Sequence, residues 1–168
     1  KGGIDGKTVM MLGDLKRGRT IRSLSLLLTQ YQDVKIIFSS PKEFKIDEDL
    51  RIKLKDTHIK FEETEEFESV LSYVDVIYMT RVQDEYDVKG ESKEVNYQKY
   101  YLKHEHLKYI KEDAIIMHPL PRRSELDVRI DTDPRAKYWR QERNGMWSRA
   151  ALLAKIFNIE NKIVLPKL

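Results

Sequence analysis

Short apolar runs recur along the chain and alternate with stretches of helical period. Residues 9–12, 34–38, 75–79 and 114–117 are apolar and bounded by turn residues or charge. Runs of this length read as strands buried on both faces, as in a parallel sheet. Ile59-Lys60-Phe61 is a weaker strand candidate. In residues 20–28 the spacing changes to three and four, and Ile21, Leu24 and Leu28, followed by Tyr31, form one apolar stripe. Residues 47–55, 66–73 and 101–110 carry comparable helical patterns. The alternation predicts an α/β fold: a doubly wound, mostly parallel, Rossmann-like sheet with helices on both faces and right-handed crossovers. Ligands of such sheets bind at the carboxyl ends of the strands, so the loops after the strands are where chemistry is expected.

Two segments depart from the pattern. Residues 84–100 are charged and contain Gly90, Ser92 and Asn96, which predicts a long mobile loop. Residues 144–157 read as a helix, yet Trp147, Ala150, Leu152, Leu153, Ile156 and Phe157 cover more than one face. Such a helix needs burial on several sides.

Composition narrows the class. A chain of 168 residues with 40% hydrophobic residues has the length of one domain. No run approaches the roughly 18 apolar residues of a membrane helix, and the first residues lack a signal-peptide pattern. The absence of cysteine excludes disulfides, a thiol nucleophile and cysteine-ligated metal, and a reducing, cytoplasmic setting is expected. Thirty-one Lys and Arg against 28 Asp and Glu leave a net charge of +3, intermixed along the chain, so a nucleic-acid partner is not expected.

The strand-end loops carry the candidate chemistry. After the first strand, Gly13-Asp14-Leu15-Lys16-Arg17-Gly18-Arg19-Thr20 enters a helix. It is neither the dinucleotide fingerprint nor a Walker loop. It sets Arg19 at a helix start, where free N–H groups also favour a carboxylate or phosphate; taken alone, Arg17 and Arg19 read better as solvated loop charges. Thr80-Arg81-Val82-Gln83 puts Arg81 and Gln83 on one side of an extended segment. A guanidinium grips a carboxylate bidentately and an amide orients the rest of a ligand, although an exposed polar strand end fits equally well. His118-Pro119-Leu120-Pro121-Arg122 is a stiff loop with two N–H donors removed, so its carbonyls stand directed, as suits an amino group. The alternative is a rigid turn that only ends the strand. Together the loops suit a small dianion that carries an amine. His104-Glu105-His106 has the wrong spacing for a helical metal pair, and no metal is expected. Lys16, Arg17, Arg19 and Arg22 lack the interleaved aromatics of a nucleic-acid surface.

These three loops, in this order, resemble the signature loops in the aspartate-binding half of the aspartate carbamoyltransferase family. The tail agrees: Asp131, Asp133-Pro134-Arg135-Ala136, Tyr138, Gln141, Asn144-Gly145, Arg149 and Ala151-Leu152-Leu153 follow the family's closing pattern. The resemblance runs from about Gly6 to Phe157. The related ornithine enzymes have a cysteine in place of Pro119 and lack the Arg-x-Gln pair, so the chain is similar to the aspartate branch. The resemblance implies that Arg19 binds one carboxylate of L-aspartate and Arg81 the other, with Gln83 orienting the ligand. It implies that the Pro119 and Leu120 carbonyls face the reacting amino groups, that the Leu120–Pro121 bond is cis, and that the 119–121 loop touches carbamoyl phosphate. The implied reaction is attack of the aspartate amine on the carbamoyl carbon with loss of phosphate, giving N-carbamoyl-L-aspartate for pyrimidine synthesis without metal or organic cofactor.

The family's carbamoyl-phosphate half, with its Ser-Thr-Arg-Thr loop, catalytic histidine and Ser/Lys loop lent by a neighbouring subunit, has no counterpart here; His118 belongs to the aspartate half. Residues 1–168 are therefore expected to be one domain with an incomplete catalytic set. The 144–157 helix is expected to pack on the missing domain, and the complete chain to form a homotrimer, as a single enzyme or within a multifunctional polypeptide. Within the matched half, Asp84-Glu85-Tyr86 replaces the usual Lys-Glu-Arg, Arg17 stands where an aromatic or histidine is usual, and Arg123-Ser124-Glu125 replaces a more acidic run. The alternative reading is a catalytically silent binding or assembly module; a nicotinamide-binding domain is a third, poor without the glycine fingerprint.

Overall fold

The computed structural model describes residues 2–83 and 96–162. Five strands, β1 (Thr8–Leu12), β2 (Lys35–Ser39), β3 (Lys60–Thr64), β4 (Val76–Met79) and β5 (Ile115–Met117), form one sheet in the order β3-β2-β1-β4-β5. All pairings are parallel: Met10 lies between Ile37 and Ile77, and Ile77 lies opposite Ile116. The order reverses beside β1, so the carboxyl ends of β1 and β4 flank the crevice where such sheets take ligands.

Successive residues of a strand point to opposite faces, and two cores result. Met10, Leu12, Ile37, Ile77, Met79 and Ile116 pack on one side, while Val9, Met11, Ile36, Phe38 and Tyr78 pack on the other. The second core is covered by α1 (Arg19–Leu28) and α2 (Glu48–Lys55), through Ile21, Leu28, Leu50 and Leu54. The first is covered by 3-10 turns and by Tyr138, at the start of α3 (Tyr138–Ile156). β3, the weaker candidate, is a true strand at the sheet edge. Its Glu62 and Glu63 pair with Lys35 and Arg51, and charge on an edge strand discourages pairing with another chain.

Three expected helices differ. Residues 66–73 make one 3-10 turn, Phe67–Val70, which buries both of its end residues. Residues 101–110 form a 3-10 segment only over His104–Tyr109. Leu102 pairs with the 125–127 strand-like segment, accepting from Asp127 N at 3.1 Å and donating to Glu125 O at 2.8 Å, which keeps residues 101–102 extended. The last helix starts six residues earlier than its apolar pattern. Ile116 holds Arg135 O and Lys137 N at 2.8 Å each, and the chain turns helical as soon as it is released. Most of the expected 84–100 loop lies outside the described residues; Tyr97–Tyr100 is a 3-10 turn. Among the described residues, no helix is long and apolar enough to cross a membrane.

Candidate active site

The loop after β1 crosses the end of β4 at close range. Gly13 has φ 119°, and a Cβ there would stand 2.2 Å from Thr80 O, so only glycine fits. The next residue, Asp14, is fully buried. Its Oδ1 accepts from Arg17 N at 3.1 Å; its Oδ2 accepts from Arg17 Nε at 2.8 Å and from Gln83 N at 3.1 Å. Gly18 then allows α1 to begin against the loop, since a Cβ would lie 2.7 Å from Asp14 O. α1 starts at Arg19 with no side-chain cap and no acidic residue in its first turn, which leaves N–H groups and a positive helix end facing the cleft.

Arg17 and Arg19 separate here. Arg17 is no solvated loop charge: its side chain is only 11% exposed, and its guanidinium lies 4.4 Å from the Phe44 ring centre. Arg19 is exposed at the cleft rim. Arg22 pairs with Asp49 of α2, and Lys16, Arg17, Arg19 and Arg22 together line a second, smaller hollow beside Asp47.

The loop after β4 brings Arg81 and Gln83 to the same cleft, as the extended spacing predicts. Thr80 N donates to Leu12 O at 2.8 Å and locks this loop to β1. Arg81 Nη1 donates to Val82 O at 3.1 Å, and Arg81 is half-buried.

The loop after β5 is anchored on both sides. Leu120 has φ 51°, the Leu120–Pro121 bond is cis, and Leu120 N donates to His118 Nδ1 at 2.9 Å. That bond leaves the ring proton on Nε2, which faces Glu125 Oε1 at 2.9 Å inside the protein. Burial disfavours charge on Glu125, yet hydrogen bonds from His118, Arg123 N and its own backbone hold its carboxyl below the usual range. His118 N donates to Gln141 Oε1 at 3.0 Å. The Tyr78 hydroxyl, raised by burial, hydrogen-bonds Thr20 and Gln141 and so joins β4, α1 and α3. Arg122 faces away from the cleft: it grips Asp131, which also accepts from the Tyr138 hydroxyl, and it lies 5.6 Å from the Trp139 ring centre. The Pro119 and Leu120 carbonyls accept no hydrogen bond among the described residues and border the open cleft.

The three loops enclose a cleft of about 510 Å³ lined by Arg17, Arg19, Thr20, Thr80, Arg81, Gln83, His118, Pro119, Leu120 and Pro121. Among the described residues, its lining offers three guanidiniums, one amide and unpaired carbonyls, with no carboxylate. A dianion is attracted by the first set, and an amine can donate to the last.

The family model for aspartate/ornithine carbamoyltransferase, Asp/Orn binding domain, matches residues 5–156. The chain belongs to this family. The aspartate carbamoyltransferase catalytic subunit of Clostridium novyi (strain NT) is 40% identical over 163 residues, covering 95% of this chain and 52% of that protein. The chloroplastic aspartate carbamoyltransferase 1 of Pisum sativum is 41% identical over 153 residues, covering 90% of this chain and 40% of its own length. Among solved structures, the catalytic subunit of M. jannaschii aspartate transcarbamoylase superposes with a TM-score of 0.83 at 38% identity, over 95% of this chain and 52% of that one. The Trypanosoma cruzi aspartate transcarbamoylase in complex with aspartate and phosphate gives a TM-score of 0.79 at 34% identity, over 90% and 48%. The chain thus spans about half the length of most of these relatives.

Within this carbamoyltransferase-family domain, all six residues implied by the resemblance, Arg19, Arg81, Gln83, Pro119, Leu120 and Pro121, line the one cleft. The spacing of the sequence does not reveal the roles of Asp14, Gln141 and Tyr78. An Asp three residues before an Arg hints at the Asp14–Arg17 pair, but the contacts of Gln141 and Tyr78 have no local signal. In His104-Glu105-His106, His106 is buried against Phe67, its Nδ1 accepts from Lys103 N at 3.0 Å, and burial lowers its pKa. No cluster that could hold a metal ion occurs among the described residues.

Proposed function

We propose that this chain is the aspartate-binding half of an aspartate carbamoyltransferase, and that Arg19, Arg81 and Gln83 hold L-aspartate while the 119–121 loop receives its amine and the carbamoyl group. The convergence of these six residues on one cleft carries the reading. Arg81 and Arg19 take one carboxylate each, and Gln83 turns the ligand so that its amine meets the Pro119 and Leu120 carbonyls. The neutral amine nitrogen then bonds to the carbamoyl carbon of carbamoyl phosphate, the carbon–oxygen bond to phosphate breaks with its electron pair leaving on the phosphate, and the nitrogen's proton passes to a phosphate oxygen as N-carbamoyl-L-aspartate and phosphate form. The chain's share is positioning and charge complementarity.

The groups that hold the phosphate belong, in this reading, to a second domain. The exposed apolar side of α3 is its contact surface, and the assembled enzyme is a cytoplasmic homotrimer, alone or within a multifunctional polypeptide. The test compares this chain with the whole polypeptide that carries it, supplied with carbamoyl phosphate and L-aspartate. Carbamoyl aspartate is expected from the whole and not from the chain alone. A whole polypeptide that binds aspartate without turnover would favour a silent binding module instead.

A further inference from the structure

We propose that Arg17 is a positioning residue that sets affinity for the amino-acid substrate by fixing Gln83 through the Asp14 carboxylate; the substrate's identity rests on the function proposed above. Asp14 is a fully buried carboxylate with three donors, two of them from Arg17 and the third the Gln83 backbone N–H. A buried carboxylate is held by the donors that meet it, and most strongly where one of them carries a counter-charge. Arg17 Nε supplies both at 2.8 Å. Phe44, itself fully buried, holds the guanidinium from the other side at 4.4 Å from its ring centre. The Phe44 backbone is tied to the same loop, with Leu15 N donating to Phe44 O at 3.1 Å. One side chain therefore stands between a rigid aromatic wall and the carboxylate that anchors a substrate loop.

With the guanidinium gone, Asp14 keeps only backbone donors. Water entry or a shift of the carboxylate then releases Gln83, and with it the amide that orients the ligand. Lysine preserves the charge but not the planar fork or the face-on contact with Phe44.

In the complete polypeptide, Arg17→Met is expected to raise the KM for aspartate about tenfold, the effect of losing one charge-assisted hydrogen bond, and to leave the KM for carbamoyl phosphate unchanged. Arg17→Lys is expected to recover part of the loss. In a Gln83→Ala background, Arg17→Met should cost little more, because the group it positions is already absent. Amide exchange at Gln83 is read in parallel and should quicken in Arg17→Met whether or not the enzyme turns over. A parent without activity but with this quickening counts against the function proposed above and not against the positioning role. An unchanged Gln83 exchange, an unchanged aspartate KM in an active enzyme, equal losses for both substrates, or full additivity with Gln83→Ala overturns the proposal.

Discussion

Behind the cleft, the polar groups that position its loops are matched within the chain: Asp14 by Arg17 and Gln83, Glu125 by His118 and Arg123, Arg122 by Asp131. On α3 and at Phe157, which ends it, the apolar groups are left uncovered among the described residues. Leu152, Leu153, Ile156 and Phe157 are 60%, 55%, 61% and 67% exposed, and of the 19 residues in the helix only Tyr138 and Ala154 are buried. Fully burying side chains of that size from full exposure is worth roughly 1.5–3 kcal/mol each, so covering the part still open here is worth about 1–2 kcal/mol each. The difference separates two kinds of completeness. The cleft loops are held by contacts among the described residues, whereas the helix, about 28 Å long at 1.5 Å per residue, has an apolar side that the described residues leave uncovered.

The sharpest way to break this contrast is Arg81→Ala in the complete polypeptide. Removing a charge that meets a carboxylate in a desolvated site costs about 2–5 kcal/mol, so kcat/KM for aspartate is expected to fall on the order of a hundredfold or more. Gly13→Ala tests the fold beneath the site. Its Cβ would sit 2.2 Å from Thr80 O at a φ that L residues rarely adopt, and denaturant melts should show a loss of about 3 kcal/mol or a failure to fold. Glu125→Ala strands the buried His118 Nε2–H and should cost about 1–3 kcal/mol in the same melts.

The Glu125 carboxyl also predicts a pH response. Because its folded pKa lies below the ordinary value, its contribution is complete above that value, about 4.3 for a glutamate, and is lost as pH falls through the lower folded value. Melting temperatures measured from pH 6 to pH 3 should therefore fall less steeply for Glu125→Gln than for the parent. The smallest effect belongs to α3. Leu152→Ser with Phe157→Ser should change the stability of the isolated chain by no more than about 0.5 kcal/mol per site, while weakening assembly of the complete polypeptide as read by sedimentation.

Much of this contrast was legible in the sequence. The doubly buried strands β1, β2 and β4 announce themselves as apolar runs because both faces are covered. The cleft residues follow from their place at strand ends, and the two-sided apolar pattern of α3 marks its exposed flank. The 3-10 segments were not legible. Residues 101–110 have helical spacing, but the long-range pairing of Leu102 with Leu126 outweighs it. The start of α3 at Tyr138 was hidden because Arg140, Gln141, Glu142 and Arg143 are polar on a helix whose neighbours cover little of it. Asp14 was visible only as part of a motif, since its charge partner is local but its Gln83 contact spans 69 residues.

The central claim is that this cleft receives aspartate through its guanidiniums and stiff carbonyl loop. The most direct measurement is the rate of carbamoyl-aspartate formation by the polypeptide that carries this chain, compared with the same polypeptide bearing Arg81→Ala. The account predicts turnover in the parent and a loss on the order of a hundredfold or more in kcat/KM for aspartate in the variant. Turnover that survives the substitution unchanged would contradict it.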